Sequence, residues 1–217
     1  MTKVAVILSG CGVFDGGEIQ ESTFTLLALD QAGAEYQCLA PNINQMHVIN
    51  HLTGQETDEQ RNVLVESARI ARGKVLDLVD AVPGDYDAVI VPGGFGVAKN
   101  LCDFALKGAD MSVNEQVQIF IQALHNAGCP VGLACISPVM SESLFGEGVV
   151  CTIGNDEATA SAIDEMGARH QNCAADDIVI DEANKLVTTP AYMLAERISE
   201  VSTGINKMVG AVLAMVK

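Results

Sequence analysis

Two kinds of side chain stand where this chain could do covalent chemistry: a thiol at the end of one apolar run and carboxylates after another. Cys135 lies in VGLACISPVM, residues 131 to 140, where a strand-like run leads into the thiol and Pro138 opens a helical turn. A strand that feeds a thiol straight into a helix presents it at the carboxyl edge of a sheet, where open α/β sheets bind ligands. The unpaired N–H groups and positive end of that helix would favour the thiolate. Space filling is the ordinary role of a free cysteine, and the strand-to-helix context is what separates Cys135 from it.

A second run, VIVPGGFGVAKNL (residues 89 to 101), ends in a glycine-rich turn. Gly93, Gly94 and Gly96 allow a backbone free of side chains whose N–H groups could face an oxyanion, although a plain strand-to-helix turn would look the same. The first run ends in SGCGVFDGGEIQE. Gly10 and Gly12 begin a dinucleotide fingerprint, but Asp15 holds the third glycine position, so no nucleotide cofactor is expected. Glu18 falls where the chain turns into its first helix, and a carboxylate near a thiol can accept or relay its proton. Glu18 could equally be a first-turn glutamate favoured by the helix dipole, Glu21 is a rival one turn on, and Cys11 is a rival thiol. His47 and His51 are spaced i, i+4, but MHVIN is rich in β-branched residues and no third ligand stands near, so no metal is expected.

Positioning these groups requires several buried strands. The runs at 3–9, 35–41, 86–94, 130–135 and 185–190 are continuously apolar, which predicts strands covered on both faces in a mostly parallel sheet. Residues 18–33 and 114–128 have helical spacing and end at Gly33 and Gly128, giving the alternation of a doubly wound α/β fold. Residues 46–80 interrupt that rhythm and predict a small helical insertion opened by Thr57, with Gln60 as its capping-box partner. IVIDEANKLVTTP predicts a hairpin, and a helical tail from Tyr192, broken near Gly204, closes a single domain spanning 1–217.

Composition narrows the partners. With 12 basic and 28 acidic residues the net charge is -16, which repels nucleic acid and anionic lipid, and no apolar run is long enough to span a bilayer. The 7 cysteines show no C-x-x-C spacing and suit a reducing compartment. MTKVAVILSG goes directly into a strand pattern without the layout of a signal peptide, so a cytoplasmic location is expected.

Taken together, ILSGCGVFDGGEIQE, VINHLTG, ESARIARG, VPGGFGVAKNL and VTTPAYMLA resemble, over essentially the whole chain, the ElbB family of isoprenoid biosynthesis proteins with an amidotransferase-like domain. That family is a PfpI-like branch of the class I glutamine amidotransferase-like superfamily. The resemblance implies a flavodoxin-like three-layer sandwich and a nucleophile elbow at Cys135 with Glu18 as its partner carboxylate. It further implies that Gly93, Gly94 and Ile136 lie at the oxyanion and substrate site. It also implies a homodimer, for which the apolar tail GINKMVGAVLAMV is a candidate interface unless it packs on the sheet.

The pattern departs from the superfamily in two places. Ile136 stands where many PfpI-like hydrolases have histidine, and TTPAYMLAER lacks the histidine of true glutaminases. Amide hydrolysis and protease activity lose their usual proton donor, so neither is expected. Family members are described as weak glyoxalases, which implies a small dicarbonyl substrate: conversion of glyoxal, or methylglyoxal, to the hydroxy acid through a Cys135 hemithioacetal, with Glu18 moving the proton. The rival is a non-catalytic redox or carbonyl sensor built on the same thiol.

Overall fold

The computed structural model describes residues 1–216. The chain begins with β1 (Lys3–Ile7), α1 (Ile19–Gln31) and β2 (Glu35–Ala40), then forms a hairpin of β3 (Ile49–Asn50) and β4 (Gln55–Glu56). It continues through α2 (Val63–Ile70), β5 (Val75–Asp77), β6 (Ala88–Val91), α3 (Phe104–Lys107), α4 (Glu115–Asn126) and β7 (Val131–Ala134). The last part comprises α5 (Ser141–Phe145), β8 (Val150–Cys151), α6 (Glu157–Glu165), β9 (Arg169–His170), β10 (Val179–Asp181), β11 (Leu186–Thr189) and α7 (Ile198–Ala214).

Seven strands form one sheet in the order β10-β11-β7-β6-β1-β2-β5, parallel except for β10, which turns back against β11 as the expected hairpin. Every residue of β6, β7 and β11 is buried, and β1 is buried from Val4 onward, which explains why these strands read as continuous apolar runs. Helices cover the sheet, making the flavodoxin-like three-layer sandwich. β1 pairs with β2 on one side and β6 on the other. The chain therefore reverses direction at β1, and right-handed crossovers put α1 and α4 on opposite faces, opening a crevice at the carboxyl ends of β1 and β6.

Residues 46–80 supply the β3–β4 hairpin, α2 and the edge strand β5, which pairs with β2. The helix there starts at Asn62, whose side chain accepts from the Val65 N–H at 3.1 Å, and not at Thr57, whose hydroxyl is turned to the Val48 carbonyl. The apolar tail lies on the core: α7 buries Val201, Ile205, Met208, Val209 and Val212 and packs against α1, β7 and β11. It runs unbroken through Gly204, where a Cβ would stand 2.7 Å from Thr189 Oγ1 and 2.8 Å from the Ala175 carbonyl oxygen. Glycine is there to let helix and strand approach. No helix among the described residues is long and apolar enough to cross a membrane.

Candidate active site

β1, β6 and β7 end at the same edge of the sheet, and the loops that follow them are laced together. The Glu18 N–H donates to the Gly93 carbonyl at 2.9 Å, Phe95 N–H to Val13 at 2.8 Å, and Gly96 N–H to Gly16 at 2.9 Å. Cys135 follows β7 without a spacer and takes φ +62°, a conformation that disfavours side-chain-bearing residues by about 1–2 kcal/mol. Two bonds hold it there: its own N–H donates to the Thr189 carbonyl at 2.9 Å, and the Ser137 hydroxyl donates to Pro92 at 3.0 Å, tying the elbow to the glycine turn. The helix beyond is a short 3-10 turn, Ser137–Met140, leading into α5. The donors that face the Cys135 sulfur are the N–H groups of Ile136, on the elbow, and Gly94, on the neighbouring loop.

The carboxylate at the thiol is Glu21. Its side chain is fully buried and lies against Cys135, while Oε2 accepts from the Gly93 N–H at 2.9 Å and Oε1 from the Tyr192 N–H at 3.1 Å. Glu18, the carboxylate expected there from the sequence, is occupied elsewhere: it caps α1, and its Oε2 accepts from the Glu21 N–H at 2.6 Å. A capping box would have turned Glu21 back to the Glu18 N–H, which instead donates to the Gly93 carbonyl, so the E-x-x-E spacing alone does not reveal this division of labour. Gly93 departs from expectation in the same way, because its N–H is spent on Glu21, leaving Gly94 and Ile136 as the donors around the sulfur. Tyr192 gives no signal of its role in the sequence, since its backbone reaches Glu21 only because Ala191 adopts φ +44°.

Burial sets the electrostatics. Loss of water pushes the Glu21 carboxyl up to about 7 despite its backbone donors, and the nearby Glu18 charge adds to the rise. Burial likewise raises the Cys135 thiol, and the Glu21 charge raises it further, while the Gly94 and Ile136 N–H groups oppose the shift. Two anions side by side are disfavoured, so the pair keeps both protons below about 7 and gives up the first as pH rises through that value, titrating as a unit. The folded state therefore binds a proton at Glu21 that the unfolded chain has already released. Stability is full below the ordinary glutamate range and is lost as pH rises toward 7, by roughly 3 kcal/mol in all. Urea unfolding at pH 4.5 and 7.5 should show this loss in the wild type and not in Glu21→Gln; parallel profiles would refute it.

Cys135 is 7% exposed and borders a cavity of about 240 Å³ that the loops after β1 and β6 and the Tyr192 segment enclose. A wider groove of about 430 Å³ beside Leu26, Tyr36 and Arg72 lies away from this chemistry, and burial pushes its one thiol, Cys38, up to about 11. Cys11 is half-buried, raised by burial and by Glu66. His51 Nδ1 lies 3.0 Å from the Ile49 carbonyl and Nε2 accepts from the Phe14 N–H at 3.1 Å, so both ring nitrogens have backbone partners. No three His, Cys, Asp or Glu side chains among the described residues are placed to hold a metal ion.

No family model matches the chain. The human mitochondrial protein called glutamine amidotransferase-like class 1 domain-containing protein 3 is 45% identical over 223 residues, covering 98% of this chain and 83% of that protein. The mitochondrial ES1 protein homolog of Rattus norvegicus is 43% identical over 223 residues, covering 98% of this chain and 84% of that protein. Both relatives are mitochondrial, which overturns the expectation of a cytoplasmic location. Among solved structures, the isoprenoid biosynthesis protein with amidotransferase-like domain from Ehrlichia chaffeensis superposes with a TM-score of 0.93 at 36% identity over the full length of both chains. Glyoxalase III from Candida albicans shares the fold, with a TM-score of 0.65 at 16% identity over 100% of this chain and 98% of that one. The chain belongs to the ElbB family of isoprenoid biosynthesis proteins with an amidotransferase-like domain, within the PfpI-like, class I glutamine amidotransferase-like superfamily.

Proposed function

We propose that the protein is a cysteine-dependent, glutathione-independent glyoxalase-type enzyme that hydrates and isomerises glyoxal to glycolate. The observation that carries this reading is the buried Glu21 carboxyl set beside the Cys135 thiol, a nucleophile and a proton carrier side by side with no histidine between them. The fold shared with a glyoxalase supports it.

In the reaction, the Glu21 carboxylate takes the thiol's proton as the Cys135 sulfur adds to one aldehyde carbon. The carbonyl oxygen takes a proton and becomes the hydroxyl of a hemithioacetal, and the Gly94 and Ile136 N–H groups steady the charge as it forms. The Glu21 carboxylate then removes the C–H proton of that carbon, giving an enediol, and returns a proton to the neighbouring carbon. The product is a glycolyl thioester on Cys135, which water cleaves to glycolate and free thiol. No oxidant or reductant is consumed, because one carbon is oxidised as its neighbour is reduced. Glu21 takes the place of Glu18 in this scheme because only Glu21 touches the sulfur, and Glu18 acts as its positioning residue by fixing the first turn of α1.

The test is turnover in deuterium oxide with enzyme far below glyoxal. Many equivalents of glycolate labelled at C2 are expected. Unlabelled glycolate together with undiminished turnover in Glu21→Gln would mean a direct hydride shift and remove Glu21 from the mechanism. Stoichiometric modification of Cys135 without turnover would assign the thiol to sensing instead.

A further inference from the structure

The cavity above Cys135 is better suited to an apolar group than to a dicarbonyl as small as glyoxal. At about 240 Å³ it leaves most of its space unfilled when glyoxal is bound, and its walls are hydrocarbon: Val13, Ala98, Phe104 and Met193 inside, Phe95 at the rim. Phe95 is 51% exposed, with the Lys99 ammonium 5.7 Å from its ring, so a large apolar surface stands at the water boundary beside a nucleophile. Hydroxyls reach the lining only from Thr159 and Tyr192, and the Tyr192 hydroxyl is already bonded to Gln20. Among the described residues, none that lines the cavity is charged, in a chain carrying 28 acidic and 12 basic side chains.

Those walls discriminate by chemistry. A carboxylate, phosphate or ammonium entering the cavity would lose its water and meet no counter-charge in the lining, the rim ammonium of Lys99 being bonded to the Phe14 carbonyl, which disfavours amino acids such as glutamine and any diphosphate ester. An aryl or branched-alkyl group would exchange water for Phe95, Phe104 and Met193, including edge contacts between rings and a sulfur-to-ring contact. We propose that the natural electrophile of Cys135 is an uncharged carbonyl compound bearing an aryl or branched-alkyl substituent, seated on Phe95, Phe104 and Met193, and that glyoxal is a poor member of that class. This rests on Cys135 being the nucleophile, as in the reaction above, but its recognition step is independent of turnover.

The experiment separates the two. Cys135 is alkylated with N-benzylmaleimide and with N-methylmaleimide, its peptide is followed by mass spectrometry, and each rate is divided by that of free cysteine with the same reagent. A preference of about tenfold for the benzyl reagent is expected, since each methylene-sized group in an apolar pocket is worth about tenfold or more. It should shrink toward equality in Phe95→Ser and in Phe104→Ser. Equal normalised rates in the wild type, or no reaction with either reagent, overturn the proposal. Turnover of glyoxal and phenylglyoxal is measured beside it: a benzyl preference with no turnover upholds the recognition and sinks the glyoxalase reading, whereas glyoxal turnover with no preference does the reverse.

Discussion

Gly93→Ala is expected to reduce glycolate formation by about 100-fold or more without altering either reactive group. A Cβ at this position would lie 2.3 Å from Cys135 Cβ, 2.6 Å from Glu21 Oε2 and 2.8 Å from Cys135 Sγ. None of these atoms sits at the end of a free side chain. Cys135 is fixed by its bond to Thr189, and Glu21 by its bonds to Gly93 and Tyr192. The extra methyl must therefore push the sulfur and the carboxyl apart, and overpacking of this kind costs about 1–3 kcal/mol of stability as well. Activity within a few-fold of wild type, measured as kcat/KM alongside the urea midpoint, would show that the thiol and its acid are not set by this approach.

Cys135→Ala and Cys135→Gly should both remove turnover, by at least about 10³-fold, leaving the uncatalysed background. Their stabilities should diverge in an unusual direction. Glycine ordinarily destabilises a position relative to alanine by roughly 0.5–1 kcal/mol, because the unfolded chain gains freedom. At φ +62° the order reverses: alanine keeps the strain of a Cβ in the left-handed region and glycine does not, so the glycine variant should be the more stable by about 1 kcal/mol. Urea unfolding of the two variants reads the difference directly. Alanine above glycine would mean that the elbow is not strained and that its geometry follows from the sheet alone.

The frame of the molecule is legible in the residues because burial on both faces leaves its mark on every position of a strand. VAVI, AVIV, VGLA and LVTT carry no charge, and all four became central strands. β5 escaped notice because it is a three-residue edge strand whose side chains are only half-buried, so neither length nor apolarity sets it apart. Gly204, expected to break the helical tail, sits inside α7 for a different reason. Its role is to let α7 touch Thr189, and a close approach between elements distant in sequence leaves no local signal. The site was legible at the thiol, where strand, cysteine and proline lie in one short stretch. It was not legible at the carboxylate, since Glu18 and Glu21 share a helix face and only the packing of Gly93 and Tyr192 decides which one enters the core. The buried face of α1 runs through Glu21, Ser22, Thr25, Ala28 and Leu29, three of them polar, so the spacing of 18–33 marks the helix but not the face it buries.

Glu21 draws its backbone donors from residues 72 and 171 positions further along the chain. Contacts so remote in sequence form late, after the entropy of closing large loops has been met by other pairings. On the ribosome, the carboxyl lacks its second partner until synthesis has passed Tyr192, so a half-made chain carries a cysteine with no tuned acid beside it. The pairing of Cys135 with a fully held Glu21 thus exists only once the chain has been made through Tyr192, which ties the character of one thiol to the completion of the molecule.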